Sequence, residues 1–195
     1  MEDLYLHTPL GKAILQAFEE LSEEVSFNIK NASPGSCKAY IFGGAALHIY
    51  TNARGSSDID AELQATEKLE LEEIIVIYID ENGDEQSVSM DSNFTTGISG
   101  MLAEDYQDCA IPLVEAPEAL LHVYLVSPIH LAVHKLDRLV EGDQDDIVAL
   151  ARAGRINSEQ LYEVGMEVAS YAVGHRSRLE GNVRYMVDLL REQGF

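Results

Sequence analysis

Two aspartates one residue apart, Asp58 and Asp60, follow a glycine pair, Gly43-Gly44. In an extended strand alternate side chains share a face, so the two carboxylates project together, about 7 Å apart at their Cα atoms, while Ile59 points into the core. Carboxylates that close repel unless a positive charge lies between them. Hard oxygen ligands select Mg2+ or Mn2+, which also take oxygens from substrate phosphates. The glycines fit the same chemistry: without Cβ atoms the backbone adopts positive φ and approaches a phosphate closely, and N–H groups at the start of a following helix favour an anion. Each signal alone is weak, because Asp-x-Asp is common in surface strands and Gly-Gly marks a turn.

The elements that must position these residues are legible around them. Tyr40 to Leu63 opens as a short apolar strand, breaks at Gly43-Gly44, forms a helix over Ala45 to Tyr50 with small residues inward, and returns as a strand over Ser57 to Ala61. His48, inside that helix, reads as a structural histidine. Ahead of it, Leu10, Ile14, Leu15, Phe18 and Leu21 recur at helical spacing, with Thr8 as N-cap and Pro9 at the first helical position. Phe27 to Lys38 is rich in Asn, Ser, Pro and Gly and reads as a loop. Leu71 to Ile79 is β-branched, Glu81-Asn82-Gly83-Asp84 carries the hairpin dipeptide, and Gln86 to Met90 alternates on the way back, so a hairpin is expected to extend the sheet. Ser92 to Pro117 reads as a loop-rich excursion with a short turn near Ala103-Tyr106, and Leu120 to Val126 as a buried strand. Ser127-Pro128 starts a helix expected over Ile129 to Val140, on which Lys135 and Arg138 share a face at i, i+3, suited to a triphosphate. A purely structural alternative pairs these basic residues with Asp137 and Glu141 and uses the Asp143 to Asp146 run as an N-cap. Helices over Ser158 to Val173, with Ser158 as N-cap, and Leu179 to Gln193 follow, separated by the basic turn Gly174 to Arg178.

Gly-Gly, a helical spacer, then Arg54-x-x-Ser57-Asp58-x-Asp60 resembles the core motif of the DNA polymerase beta-like nucleotidyltransferases. The stretch is most similar to the minimal bacterial branch, which includes the nucleotidyltransferase toxins of abortive-infection toxin–antitoxin pairs. The resemblance implies an α/β (α+β) minimal nucleotidyltransferase fold, a mixed sheet with flanking helices, and transfer of a nucleotidyl group from a nucleoside triphosphate to a hydroxyl. Asp58 and Asp60 would hold Mg2+ (or Mn2+), and backbone N–H groups at Gly43 and Gly44 would hold phosphates. Arg54, beside Ser57, would hold a phosphate or the second aspartate, or form a plain loop salt bridge. A third carboxylate comes in this class from a later strand; Asp91 is the candidate by position, with Asp80 and Asp84 competing. Lys135, Arg138 and then Asp143-x-x-Asp146-Ile147 resemble the downstream motif, which makes Lys135 a phosphate contact, Arg138 its basic companion, and Asp143 or Asp146 the acidic residue. Relatives modify tRNA, a protein side chain or a small molecule.

Composition sets the bounds. The chain has 195 residues, 46% apolar, enough for a core. No apolar run approaches the roughly 18 residues that cross a bilayer, and Met1-Glu2-Asp3 lacks the basic start of a signal peptide, so the cytoplasm is the expected location. Cys37 and Cys109 lack Cys-x-x-Cys spacing and read as two free buried thiols. No Gly-x-x-x-x-Gly-Lys-Ser/Thr loop is present, which disfavours a P-loop phosphotransferase. The net charge is −21. Residues 1–127 hold 5 basic and 23 acidic groups, whereas 128–195 hold 8 and 11, so a polyanion is steered to the C-terminal part and a basic protein partner to the N-terminal part. The expected organisation is a nucleotidyltransferase core over 1–126 and a helical region over 127–195 that completes the site. A rival reading is a catalytically inactive acidic module that docks a basic protein.

Overall fold

Thr8 accepts the Gly11 N–H at 3.0 Å and Pro9 occupies the first turn, so helix α1 starts where its cap dictates and spans Pro9–Asn28. It runs past the expected end at Leu21 because Val25 supplies the next inward position and is fully buried. Phe27 and Asn28, expected in a loop, are therefore helical. The computed structural model describes residues 4–29, 33–66, 69–91, 102–113, 117–172 and 174–195. The acidic start Met1–Asp3 and much of the excursion expected over Ser92–Pro117, Gly97 and Gly100 included, lie outside the described residues. The architecture is α+β, with a four-stranded mixed sheet, a two-stranded antiparallel sheet and six helices among the described residues. By internal contacts the chain divides into a unit of Met1–Ile98 and Ala110–Leu125 and a unit of Ser99–Cys109 and Val126–Phe195.

In the first unit β1 (Cys37–Ile41) leads into α2 (Gly43–Thr51), and β2 (Ala61–Ala65) returns antiparallel to β1. The hairpin β3 (Ile74–Ile79) and β4 (Glu85–Met90) follows, then β5 (Ile111–Pro112) and β6 (Leu121–Leu125). The larger sheet has the order β2-β1-β6-β5, with β1 and β6 parallel at its centre. Contrary to expectation, the hairpin does not extend this ladder but forms its own sheet. Its inner residues, Ile74, Val76, Val88 and Met90, are buried, and α1 packs on both hairpin strands. Its outer residues Ile75, Ile77 and Ile79 are exposed. The sheets meet at one parallel bridge, Asp58 with Ser89, where Ser89 receives the Ile59 N–H at 2.8 Å and gives its own N–H to the Ser57 carbonyl at 3.0 Å. The strand expected from Ser57 thus becomes regular only at Ala61; Ser57 to Asp60 takes its backbone partners from β4 and Phe42 instead.

The second unit is helical: α3 (Pro128–Lys135), α4 (Glu141–Arg152), α5 (Ser158–Tyr171) and α6 (Arg176–Glu192). Ser127 caps α3 as expected, but α3 stops at Lys135 rather than Val140. The cause is tertiary. Asn182 Nδ2 takes the Leu136 carbonyl at 2.7 Å and Arg178 Nη1 takes the Asp137 carbonyl at 2.8 Å, groups that another helical turn would use internally. Leu139 then turns the chain at φ +46. α5 is capped by Asn157 rather than Ser158, in a capping box with Gln160. The basic turn expected at Gly174 to Arg178 is partly the first turn of α6, and its arginines are committed, Arg176 to Glu180 and Arg178 to Asp137, both at 2.7 Å. Among the described residues no helix is long and apolar enough to cross a membrane.

Candidate functional site

The first unit brings the glycine pair and the Asp-x-Asp segment into contact. The Phe42 N–H donates to the Asp60 carbonyl at 2.8 Å, which continues the β1–β2 register one pair beyond Ile41 and Ala61. This register sets the Asp60 carboxylate against Gly43, whose φ is +60; a Cβ on Gly43 would fall on Asp60 Oδ2. Ile59 is buried while Asp58 and Asp60 are exposed, as alternation requires. The parallel bridge joins Asp58 to Ser89 alone, and Asp91 follows directly on Met90, the last residue of β4. Asp80, weighed against Asp91, is engaged in the hairpin turn, where its carboxylate accepts the N–H groups of Asn82 at 2.8 Å and Asp84 at 3.0 Å. The Asp84 backbone bond leads the causes that hold its pKa below the usual carboxylate range.

Gly44 is walled by residues from the loop before Asp58. A Cβ on Gly44 would lie 2.5 Å from Ser56 Oγ and 3.2 Å from Arg54 Nη1. The Ser56 hydroxyl also donates to the Asp58 carbonyl at 2.8 Å. Ser56, not Ser57, is therefore the serine beside the glycines, and sequence reasoning missed it; the available signal was that it sits two residues ahead of Asp58, in phase with Asp58 and Asp60. Ser57 is exposed and offers its carbonyl to Ser89. Arg54 donates to the Gly55 carbonyl at 3.1 Å. A cavity of about 490 Å3 is lined by Arg54, Ser56, Ser57, Asn52, Tyr78 and Gln86 among others, but by neither aspartate of the motif. His48 bridges the Thr8 hydroxyl at 2.8 Å and the Arg54 carbonyl at 3.2 Å, a structural role that orients the Arg54 loop. Burial leads the causes that hold its pKa below the ordinary histidine value.

Gly43→Ala tests how much rests on the glycine. Left-handed backbone costs a non-glycine residue about 1–2 kcal/mol, and the new methyl must displace the Asp60 carboxylate. Thermal unfolding should show that loss of stability, accompanied by loss of any activity that depends on Asp60.

The downstream motif lies in the second unit. The Lys135 ammonium is buried, 2.7 Å from Asp146 and 3.8 Å from Asp143. Arg138 forms two bonds to Asp143, both 2.8 Å, and the Val140 N–H adds a third at 3.2 Å. Because α3 ends at Lys135, the two basic residues do not form one helical face; they converge on a shared carboxylate instead. The structural alternative is corrected in its pairing, since Asp137 pairs with Arg178, but its capping part holds in changed form: Val140 is the cap residue of α4, and Asp143, at the third helical position, accepts its N–H. Burial pushes the Asp143 carboxyl up, but the Arg138 and Val140 hydrogen bonds and the charges of Arg138 and Lys135 outweigh it and hold the carboxyl below its ordinary pKa. A depressed folded-state value stabilises the fold above the unfolded pKa, about 3.9, and that stability is lost as pH falls through the folded value. Unfolding free energy measured against pH should therefore drop on the acid side, and Asp143→Asn should flatten that limb.

Of the cysteines, Cys37 is buried and its thiol is pushed up to about 12 by burial, whereas Cys109, expected to be buried, is exposed.

A model of the protein family described as "Nucleotidyltransferase of unknown function (DUF6036)" matches residues 14–187, a span that holds Gly43-Gly44, Asp58, Asp60, Lys135 and Asp146. None of the curated proteins matches the chain.

Proposed function

Since the chain belongs to the DUF6036 family of nucleotidyltransferases, we propose that it transfers a nucleotidyl group from a nucleoside triphosphate to a hydroxyl acceptor, with Mg2+ or Mn2+ held by Asp58, Asp60 and Asp91. The observation that carries this reading is the seat of the Asp60 carboxylate on Gly43, at the first turn of α2. The donor set fits the cation: exposed carboxylate oxygens with no sulfur or imidazole among them suit a hard divalent ion. Such an ion, when bound, supplies charge neutralisation for the phosphates and for the attacking oxygen.

The chain's own residues do the rest. Gly43 and Gly44 let Asp60, Ser56 and Arg54 close on the start of α2, where the N–H groups of a first helical turn and the helix dipole favour negative charge. The Ser56 hydroxyl and Arg54 guanidinium flank that helix start and offer donors to phosphate oxygens. For the second unit, taken by itself, we assign phosphate contact to Lys135, with Arg138 as its companion through Asp143. Catalysis of this kind rests on positioning and on preorganised charge.

The experiment is to incubate the protein and Mg2+ with each triphosphate, labelled at the α-phosphate, and offer total RNA, lysate protein and small hydroxyl compounds. Label should pass to one acceptor class from α-labelled but not γ-labelled triphosphate, and Asp58→Ala should stop it. Absence of both transfer and calorimetric heat with all four triphosphates would overturn the reading. It would favour a second one, in which the acidic N-terminal half docks a basic protein, as an antitoxin partner would; the 23 acidic against 5 basic groups in residues 1–127 support that alternative.

A further inference from the structure

The second unit carries a cluster that nucleotidyl transfer does not use. Asp105 and Cys109 sit on the turn before β5, and His130 lies in the first turn of α3. Asp105 Oδ1 is 3.5 Å from His130 Nε2, and Asp105 Oδ2 is 3.4 Å from Cys109 Sγ. One ligand atom from each of the three residues lies within 4.8 Å of the others. Around a tetrahedral zinc ion, with bonds of about 2.0–2.3 Å, neighbouring ligand atoms stand roughly 3.3–3.6 Å apart, so the cluster needs only a small contraction.

We propose that Asp105, Cys109 and His130 form a binding site for one zinc-class divalent cation, which ties the 102–109 turn to α3. The histidine is prepared for this. Its ring is buried, and Nδ1 pairs with the α3 cap residue Ser127 at 2.9 Å, which leaves Nε2 directed at the two exposed ligands. The turn is held in shape by the Cys109 N–H, which donates to the Asp105 carbonyl at 3.0 Å, so both ligands come from one closed loop. A water would supply the fourth ligand. The donor chemistry sets the choice of metal. A thiolate and an imidazole beside one carboxylate suit zinc or cobalt and are poor partners for Mg2+ or Ca2+, so this site and the aspartate site of the first unit select different ions. On binding, the Cys109 thiol releases its proton to solvent and the sulfur lone pair goes to the metal.

Cobalt(II) reports the ligand set directly. Titrated into metal-free full-length protein, Co2+ should develop the visible bands of a tetrahedral ion and a thiolate-to-cobalt charge-transfer band, saturate at one equivalent, and be displaced by Zn2+. Cys109→Ser and Asp105→Asn alter exposed side chains, so both variants should retain the circular dichroism of the parent. The first should lose the charge-transfer band, and each should weaken zinc binding by at least about 100-fold. Asp58→Ala should leave the cobalt spectrum intact. A parent protein without the charge-transfer band, or a folded Cys109→Ser variant that keeps it or binds zinc as tightly as the parent, would overturn the assignment.

Discussion

Asp60→Asn is expected to reduce nucleotidyl transfer by at least about 10²–10³-fold while leaving the protein folded. The amide has the shape of the carboxylate, so the contact with Gly43 and the Phe42 backbone bond to Asp60 persist. What disappears is one negative charge at an exposed position, whose removal costs the fold little. The loss should fall on turnover, and raising the Mg2+ or Mn2+ concentration should restore part of it, because a weakened cation site is compensated by mass action. Label transfer over a metal titration, with circular dichroism on the same samples, makes the measurement. Activity within about tenfold of the parent at every metal concentration would remove Asp60 from the proposed site.

Lys135→Met should lower unfolding free energy by about 3–5 kcal/mol, which for a chain of this size is a fall in Tm of roughly 6–20 °C. The lysine, Asp143 and Asp146 are each more than nine-tenths buried, so solvent screens their interactions little. Methionine fills similar space but takes the 2.7 Å ammonium from Asp146 and leaves Asp143 with Arg138 and the Val140 N–H. The cost is that of stranding buried carboxylate charge rather than of losing an attractive pair. Lys135→Met combined with Asp146→Leu should accordingly recover much of the loss, whereas additive destabilisation would show that the ammonium and carboxylate act independently. The double variant also separates roles: if it is stable and inactive, the Lys135–Asp146 pair serves the reaction, and if stable and active, the pair serves only the fold.

The sequence alone determined what depends on a few adjacent residues. Thr8-Pro9 and Ser127-Pro128 start helices where their caps and rings prescribe, Asn82-Gly83 closes a hairpin, and Gly43-Gly44 followed by Asp58 and Asp60 carries the family pattern, because caps, turns and alternation act over a single turn or pleat. Tertiary structure decided the rest. α3 ends at Lys135 because Asn182 and Arg178, far along the chain, take the Leu136 and Asp137 carbonyls that a further turn would use. Ser56 rather than Ser57 meets Gly44 because the loop's path, not its composition, aims the hydroxyl. Asp58 meets Ser89 of β4 through a single bridge, and Cys109 reaches His130 only because a turn closes onto α3. Contacts between residues distant along the chain depend on which buried surfaces pack, and no local spacing encodes that choice.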